Sequence, residues 1–213
     1  MKRVAAHFAH AFARADHRDA PYRHWLLDNI LPGDILAALQ SLPIFAPKLI
    51  RTNGTRARFG RAFLTPMLQT VDPVFATLAA VFQHPSIVRD LEAVCGVLLR
   101  GSYLRLEYCQ DREGFWLAPH TDEGAIRLAL RIHLSGGPNA VDWGTDLFEN
   151  PKVLSDRTPF GLGKGLCFAP GPRTWHGFRP RPIIGTRRSL AVQYVAAAHA
   201  DPRDVAFPSQ PIP

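Results

Sequence analysis

Two histidines and an aspartate have the types and the spacing of three ligands to one metal ion. One residue separates His120 from Asp122, and His176 follows after 53 intervening residues. Because side chains alternate along a β-strand, residues i and i+2 near a strand end point the same way. A histidine from a distant strand can then complete one face of an octahedron. Two imidazoles and one carboxylate form the facial ligand set of non-haem Fe(II), which leaves further positions open.

The tripeptide His-x-Asp is weak support by itself, since the chain contains it three times. The other two copies begin at His17, in a polar N-terminal segment, and at His199, after the last predicted strand. Only the copy at His120 stands between two strand patterns and has a later histidine in a suitable setting, His176 in PGPRTWHGF. Its context therefore favours His120, Asp122 and His176 as the metal ligands.

A candidate anion-binding arginine follows His176 by 11 residues, in the segment RRSLAVQYV. If this segment is a strand, Arg187, Ser189 and Gln193 lie on one face and Arg188 lies on the other. A guanidinium with a hydroxyl two residues later can bind a carboxylate through two hydrogen bonds. The alternation favours Arg187, with Ser189 as its helper, over the neighbouring Arg188.

The elements that must position these residues are short strands. SYLRLEYC alternates between apolar and polar residues, and so does AIRLALRIHLS, where five apolar residues share one face. GLCFAPG and RRSLAVQYVA are short and apolar, and Gly and Pro clusters bound them. Short strands at regular spacing predict an all-β sandwich or barrel rather than βαβ units.

The first part of the chain has a different pattern, which predicts helices. ILAALQSL follows Pro32-Gly33-Asp34, FATLAAVFQ follows Pro73, and a third helix is predicted from Ser86, as a possible N-cap, to a stop at Gly96. Helices before strands predict one α+β, mainly β domain, in which a helical layer packs on a β core. We expect residues 1–99 to be a mainly helical support, 100–197 to carry the site, and 198–213 to be an irregular tail.

Composition excludes several broad classes of protein. The 213 residues suffice for one domain, and 46% hydrophobic residues argue against general disorder. No stretch free of charged residues is long and apolar enough to span a bilayer. His7 and His10 interrupt the apolar N-terminal run, which favours an amphipathic helix over a targeting peptide. Three cysteines without metal-site spacing fit no disulfide framework and predict a reducing, cytoplasmic setting.

The chain is basic, with a formal net charge of +7, and only four of its 25 cationic residues are lysines. Nucleic-acid-binding proteins commonly concentrate such charge in a stripe or tail. Here it is scattered apart from one local cluster, Arg51, Arg56, Arg58 and Arg61, which we interpret as a solvated loop. An anionic small-molecule substrate explains the charge as well as nucleic acid does, and we find no element that would stack on bases.

The segments PHTD, TWHGF and RRSL, in this order, resemble the Fe(II)- and 2-oxoglutarate-dependent oxygenase superfamily, in its prolyl-hydroxylase-like and small-molecule hydroxylase branch. The resemblance covers roughly residues 101–195. It implies a double-stranded β-helix, or jelly-roll, core that uses Fe(II), 2-oxoglutarate and O2. It also implies that the metal ligands are His120, Asp122 and His176, and that Arg187, helped by Ser189, holds the distal carboxylate of 2-oxoglutarate.

Further residues are candidates by the same resemblance or by their position on the predicted strands. Tyr108 resembles the tyrosine that prolyl-hydroxylase-like members place near the cosubstrate, and His133 stands where relatives often have another tyrosine. Arg131 is expected either to meet an anionic group or to lie on an exposed rim. Gln193 is a candidate substrate contact, and Trp143 is expected in a loop or strand entrance near the pocket.

The resemblance implies hydroxylation of an unactivated C–H bond in a small metabolite, such as a free amino acid or another carboxylate-bearing compound. Halogenases of this superfamily replace the acidic ligand with Gly or Ala, so Asp122 favours hydroxylation, or a related desaturation or demethylation. One alternative is a hydroxylase of a protein residue such as proline, which would need a long open groove. A non-catalytic barrel that binds metal or ligand is another. The sequence leaves the substrate and the oligomeric state open.

Overall fold

Two antiparallel β-sheets form the centre of the molecule. A computed structural model describes residues 1–44, Gly54 and 60–213. Its strands are β1 (Asp16–Arg18), β2 (His24–Leu27), β3 (Arg61–Phe63), β4 (Tyr103–Asp111), β5 (Leu117–His120), β6 (Ile126–His133), β7 (Asp146–Asn150), β8 (Val153–Arg157), β9 (Gly165–Phe168), β10 (His176–Phe178) and β11 (Arg187–Val195). The large sheet has the order β1-β2-β9-β6-β11-β4-β3 and the small sheet the order β5-β10-β7-β8.

In the described part of the chain, five α-helices precede β4. They are α1 (Lys2–Ala13), α2 (Gly33–Ser41), α3 (Pro66–Gln69), α4 (Pro73–Gln83) and α5 (Pro85–Cys95). A proline opens each of the last three, where its missing N–H costs no hydrogen bond. The Asp72 side chain caps α4, and Gly96 ends α5 with a φ of 68°. The N-cap of α5 is His84 rather than the predicted Ser86, and its side chain accepts a hydrogen bond from the Ser86 N–H.

The helices share one hydrophobic core with the outward-facing side of the large sheet. Phe8 of α1, Phe82 of α4 and Leu91 of α5 are fully buried there together with Leu190 and Tyr194 of β11. The opposite side of the large sheet faces the small sheet, where Phe168 packs against His176 with 4.8 Å between ring centroids. β11 therefore has one face in the helical core and the other in the space between the sheets.

Three strands of the large sheet come from residues that the sequence pattern assigned to a mainly helical part. β1 and β2 extend one edge of the sheet through β9, and β3 pairs with β4 at the other edge. Each has only three or four residues, which is too few for alternation to be readable. The prediction of a helical support over residues 1–99 thus missed the strands that complete the sheet.

Two further observations bear on the predictions from composition. Three of the four arginines of the basic cluster, Arg51, Arg56 and Arg58, lie outside the described residues, whereas Arg61 belongs to β3. Among the residues that the structure describes, no helix has the length and apolar character needed to cross a membrane.

Candidate metal and carboxylate site

The three predicted metal ligands converge between the two sheets. One potential ligand atom from each of His120, Asp122 and His176 lies within 4.8 Å of the other two. His176 Nε2 is 3.6 Å from Asp122 Oδ2, and the two imidazole rings are 4.3 Å apart between centroids. The donor set is two imidazoles and one carboxylate, which is the facial set suited to non-haem Fe(II).

Main-chain carbonyls fix the tautomer of both histidines. His120 Nδ1–H donates to Ala118 O, and His176 Nδ1–H donates to Thr174 O, both over 2.9 Å. Since a carbonyl oxygen only accepts, the proton must be on Nδ1 of each ring, and Nε2 keeps a lone pair for a metal. Such outer hydrogen bonds orient the histidine ligands of metal sites.

Strand pairing brings the two histidines together although they are far apart in the chain. β5 and β10 are antiparallel neighbours, and their register sets His120 directly opposite His176. Gly177 lets these strands approach closely, because a Cβ at this position would lie 2.7 Å from Leu117 O and 3.1 Å from Ala118 O. The spacing of the metal group therefore depends on the absence of a side chain at residue 177.

Arg187 lies beside the metal group and is itself held by the protein. The residue is 3% exposed. Its Nη1 donates to Asp111 Oδ2 over 2.5 Å, and its Nε donates to Trp143 O over 2.7 Å. The guanidinium carbon is 4.6 Å from the ring centroid of Phe178, which is a cation–π distance. Burial lowers the pKa of Arg187 to about 10, with Asp111 opposing that change, so the side chain is charged at neutral pH.

Asp111 joins two arginines in one buried cluster. Besides Arg187, it pairs with Arg61, whose Nη2 is 2.7 Å from Asp111 Oδ1. Burial alone would raise the pKa of the Asp111 carboxyl, but Arg61, Arg187 and the more distant Arg131 lower it below its ordinary value. Asp111 is therefore ionised, and it neutralises one of the arginine charges in the pocket.

His133 is a fully buried residue whose two ring nitrogens have no hydrogen-bond partner in the described part of the chain. Burial, with Arg187 and Arg131 nearby, lowers its pKa well below the ordinary value. A neutral imidazole can donate one hydrogen bond and accept another. A buried polar group without partners normally indicates a missing ligand or water, and here it stands next to the arginines.

Two cavities meet at the metal group and share one wall. His176, Asp122, Arg131, Thr145 and Gln193 line both. The first cavity continues towards the arginine cluster and the second continues between the sheets, past apolar side chains. The additional lining residues of the first are Arg61, Asp111, Phe115, Leu117, His120, Gly177, Phe178 and Arg187; those of the second are Ala129, Leu130, Leu166, Phe168 and Ala191.

The strand faces separate Arg187 from Arg188 as the alternation predicted. Ser189 is fully buried on the Arg187 face, and its Oγ accepts a hydrogen bond from Arg131 Nη1 over 2.9 Å. Gln193 is on the same face, and its Oε1 accepts from Arg105 Nε and Nη2 over 2.9 and 2.8 Å. Arg131 thus lines the pocket and is not confined to an exposed rim.

Tyr108 does not point into the pocket, which corrects one expectation, and Trp143 lies in the segment before β7, beside Arg187. Tyr108 pairs with Leu190 in the register of β4 and β11, lies in the helical core, and donates its hydroxyl to Leu39 O over 2.9 Å. It is therefore on the face of the sheet opposite to Arg187. The indole of Trp143 donates to Pro182 O over 3.1 Å and lines neither cavity. Trp143 contributes its main-chain oxygen to Arg187 instead.

Sequence reasoning missed Asp111 and Arg61 as site residues. Asp111 has the same parity on β4 as Cys109 and pairs directly with Arg187 in the strand register. The alternation of YLRLEYCQD sets Asp111 on the face opposite to Tyr108, so the expectation that Tyr108 belongs to the site hid Asp111. Arg61 could not be found this way, because β3 has only three residues and the neighbouring positions offer no pattern.

The sequence matches no protein-family model and no curated protein, but the structure is similar to solved structures. A prolyl-4-hydroxylase from Pseudomonas putida is 16% identical, with a TM-score of 0.61, over 90% of this chain and 98% of that one. HygX from Streptomyces hygroscopicus, solved with nickel and 2-oxoglutarate bound, is 15% identical, with a TM-score of 0.53, over 82% of both chains. The non-heme alpha-ketoglutarate-dependent epimerase SnoN from nogalamycin biosynthesis is 15% identical, with a TM-score of 0.53, over 91% of this chain and 83% of that one.

At these identities the likeness is one of fold. The chain has the mainly β jelly-roll fold, with two antiparallel sheets, that iron- and 2-oxoglutarate-dependent oxygenases share. The resemblance predicted from PHTD, TWHGF and RRSL is confirmed at this level.

Proposed function

We propose that this chain is an Fe(II)- and 2-oxoglutarate-dependent oxygenase that hydroxylates a C–H bond of a small, carboxylate-bearing molecule. The observation that carries the proposal is the convergence of His120, Asp122 and His176 beside the buried Arg187. Three candidate metal ligands and an arginine able to bind a carboxylate line one pocket, in a fold that hosts this chemistry in other proteins.

The metal group fits Fe(II) by its chemistry. His120 and His176 each keep Nε2 as an acceptor because their Nδ1 atoms donate to carbonyls. Asp122 adds a hard oxygen donor, and two nitrogens with one oxygen suit Fe(II) and related divalent ions. Fe(II) together with 2-oxoglutarate would supply the oxidation of the C–H bond by O2, with release of CO2 and succinate.

The arginine side of the pocket fits the distal carboxylate of 2-oxoglutarate. A guanidinium has five N–H donors, and those of Arg187 that bond to Asp111 and Trp143 O leave others for a ligand. Ser189 lies on the same strand face as Arg187, and His133, whose ring nitrogens have no partner in the described part of the chain, lies opposite Ser189 in the register. Neither lines either of the two cavities, so we place both behind the arginines that would contact the carboxylate.

The remaining pocket residues orient the ligand and exclude water. Phe115, Leu117 and Phe178 line the first cavity, and Phe178 packs under the Arg187 guanidinium. An apolar lining strengthens the hydrogen bonds between a charged ligand and its partners, since it lowers the local dielectric constant. The protein would thus bind and orient the ligands and exclude water from the reacting carbon.

The carboxylate of Asp122 supports hydroxylation rather than halogenation as the outcome. It occupies the place among the ligands that a halide would otherwise take. A peptidyl substrate is the alternative to a free small molecule, since one protein of similar structure is a prolyl-4-hydroxylase.

A substrate screen tests the proposal. Small acids, free amino acids and proline-containing peptides are incubated with Fe(II), ascorbate and 2-oxoglutarate under ¹⁸O₂ in chloride buffer, and succinate and products are measured by mass spectrometry. We expect a small acid to gain one labelled oxygen. A chlorinated product, or hydroxylation of peptides alone, would contradict the proposal. His176→Ala should abolish succinate formation, and His199→Ala, in a His-x-Asp copy outside the site, should not.

A further inference from the structure

Among the residues that the structure describes, the charges around the pocket do not sum to zero once the proposed ligands are counted. Asp111 lies between Arg61 and Arg187, so this group carries one net positive charge, which matches the distal carboxylate of 2-oxoglutarate. A divalent ion with Asp122 also carries one net positive charge, which matches the second carboxylate of 2-oxoglutarate. His133 is neutral, since its pKa is lowered. The charge of Arg131 is left without a counter-ion.

Arg131 is placed to meet a third carboxylate. It lines both cavities beside Asp122 and His176. In the described part of the chain, no carboxylate lies within ion-pair distance of Arg131, and its hydrogen-bond partner is the neutral Ser189 hydroxyl at 2.9 Å. A guanidinium does not lose its charge near neutral pH, so partial burial without a counter-ion is costly unless a ligand supplies the charge.

The surroundings of Arg131 favour an apolar molecule. Half of the described residues that line the second cavity are apolar, and Arg131 is the sole lysine or arginine among them all; the apolar ones are Ala129, Leu130, Leu166, Phe168 and Ala191. A ligand that fills this cavity would bury a hydrocarbon part against these side chains and place one anionic group at the guanidinium.

An ammonium group finds no acceptor of opposite charge there. The lining carboxylates are Asp111, which holds two arginines, and Asp122, which belongs to the metal group. The nearby buried Glu107 pairs with Arg105 over 3.1 Å. Residues 45–53 and 55–59, which the structure does not describe, contain no Asp or Glu. A free amino acid would therefore bring an uncompensated positive charge next to Arg131.

We infer that the substrate is a small monocarboxylic acid with an apolar body and no ammonium group, bound through its carboxylate by Arg131. This inference rests on the proposed function and narrows its substrate class, since it disfavours free amino acids. Counted over the described residues, one carboxylate at Arg131 brings the summed charge of the pocket, metal ion, cosubstrate and substrate to zero.

Binding of matched probes to the Mn(II)-loaded protein tests the inference without turnover. The protein is first titrated to saturation with 2-oxoglutarate, and calorimetry measures this binding. Two series are then titrated, isocaproate with isocaproamide and leucine, and hydrocinnamate with hydrocinnamamide and phenylalanine. Within a series the apolar body is constant and only the charged groups change. In at least one series we expect the acid to bind about tenfold more tightly than the amide and the amino acid, as one charge-assisted contact allows.

Substitutions at two positions of β6 test whether Arg131 causes the preference for the acid. Arg131→Gln should remove the preference for the acid, and Arg131→Lys should keep a reduced preference because the charge stays while the planar fork is lost. Arg127→Gln is the matched control, since Arg127 donates to Leu98 O and Arg100 O and lines neither cavity. It should keep the full preference.

The inference is overturned if neither acid is preferred, if an amino acid binds most tightly, or if folded Arg131→Gln retains the preference. If Arg131→Gln does not fold, a full preference in Arg131→Lys overturns it. Absence of 2-oxoglutarate binding in the first titration would instead contradict the proposed function. Binding of 2-oxoglutarate without a preference for acids would contradict this inference alone.

Discussion

Asp111 is the residue on which the pocket's own charge balance depends. It is fully buried and lies between Arg61 and Arg187, so each arginine has a counter-ion before any ligand binds. Removing one member of a buried group of charges leaves the others without a counter-ion. The resulting loss of stability is larger than the net stability that the intact group contributes. Asp111 thus both holds Arg187 in place and limits how many of its donors a ligand can use.

Asp111→Asn should destabilise the protein by about 3–5 kcal/mol, the range measured when a buried ion pair loses one partner. The neutral amide keeps the shape but leaves Arg61 and Arg187 without a counter-ion. Urea unfolding at neutral pH measures the change in the free energy of unfolding. Asp156→Asn is the control, because Asp156 pairs with Arg18 at the surface over 3.5 Å and should contribute at most about 1 kcal/mol. Equal losses of unfolding free energy in the two variants would contradict a larger contribution from the buried cluster than from a surface ion pair.

The stabilising effect of Asp111 should also depend on pH. Its folded-state pKa is lowered from the ordinary 3.8, so below that value the unfolded chain takes up a proton that the folded protein resists. Its contribution to stability is therefore present above about pH 3.9 and is lost as the pH falls towards the lower folded-state pKa. The difference in unfolding free energy between wild type and Asp111→Asn should narrow over this acid range. A constant difference down to pH 3 or so would contradict the assignment.

Arg187→Ala should weaken 2-oxoglutarate binding at least tenfold, whereas Arg188→Ala should change it little. Arg187 lines the pocket, and loss of a hydrogen bond between charged groups costs about 1.5–3 kcal/mol. Calorimetric titration of the Mn(II)-loaded variants measures both affinities, and thermal melts show whether each variant is folded. Equal effects from the two substitutions would mean that the carboxylate is not bound on the Arg187 face.

Strand alternation explains which site residues could be predicted and which could not. On β11 the rule applies within nine residues, so it separates Arg187 from Arg188 without knowledge of the fold. Tyr108 was assigned from its resemblance to a tyrosine in relatives, but residues 112–116 lie between β4 and β5, and such a connection does not preserve parity from Tyr108 to His120. The three-residue strands β1 and β3 could not be predicted from the sequence, since their pairing is decided by the sheet that they join.

The close pairing of β5 with β10 should be required for metal binding. Gly177→Ala would place a Cβ 2.7 Å from Leu117 O, so the two strands must separate and carry His120 away from His176. We expect the affinity for Mn(II) or Ni(II) to fall at least tenfold, in line with the effect of disturbing the supports of metal ligands. Gly171→Ala is the control, since a Cβ there has no atom within 4 Å. Equal affinities in the two variants would contradict this role of Gly177.

At the scale of the whole molecule, the sequence predicts the β core and the site better than it predicts what surrounds them. The alternation of a strand can be read from neighbouring residues, and the His120–Asp122–His176 pattern can be read from the order of residues in the chain. Neither signal requires knowledge of the tertiary structure, and the fold they predicted is the one observed. The arginine-rich composition indicated an anionic ligand but not its place. Arg61, Arg131 and Arg187 come from three different strands. They meet around Asp111 because β6, β11, β4 and β3 are consecutive neighbours in the large sheet, an order that strand patterns alone do not give.

The most direct test of the central claim is the fate of labelled oxygen during turnover of 2-oxoglutarate. The wild-type protein is incubated with Fe(II), ascorbate, 2-oxoglutarate and the preferred small acid under ¹⁸O₂, and the succinate is analysed by mass spectrometry. We predict that succinate forms with one ¹⁸O in its new carboxylate, and that His176→Ala forms none. If the folded, metal-loaded wild type produces no labelled succinate with any acid, amino acid or peptide of the screen, the central claim is contradicted.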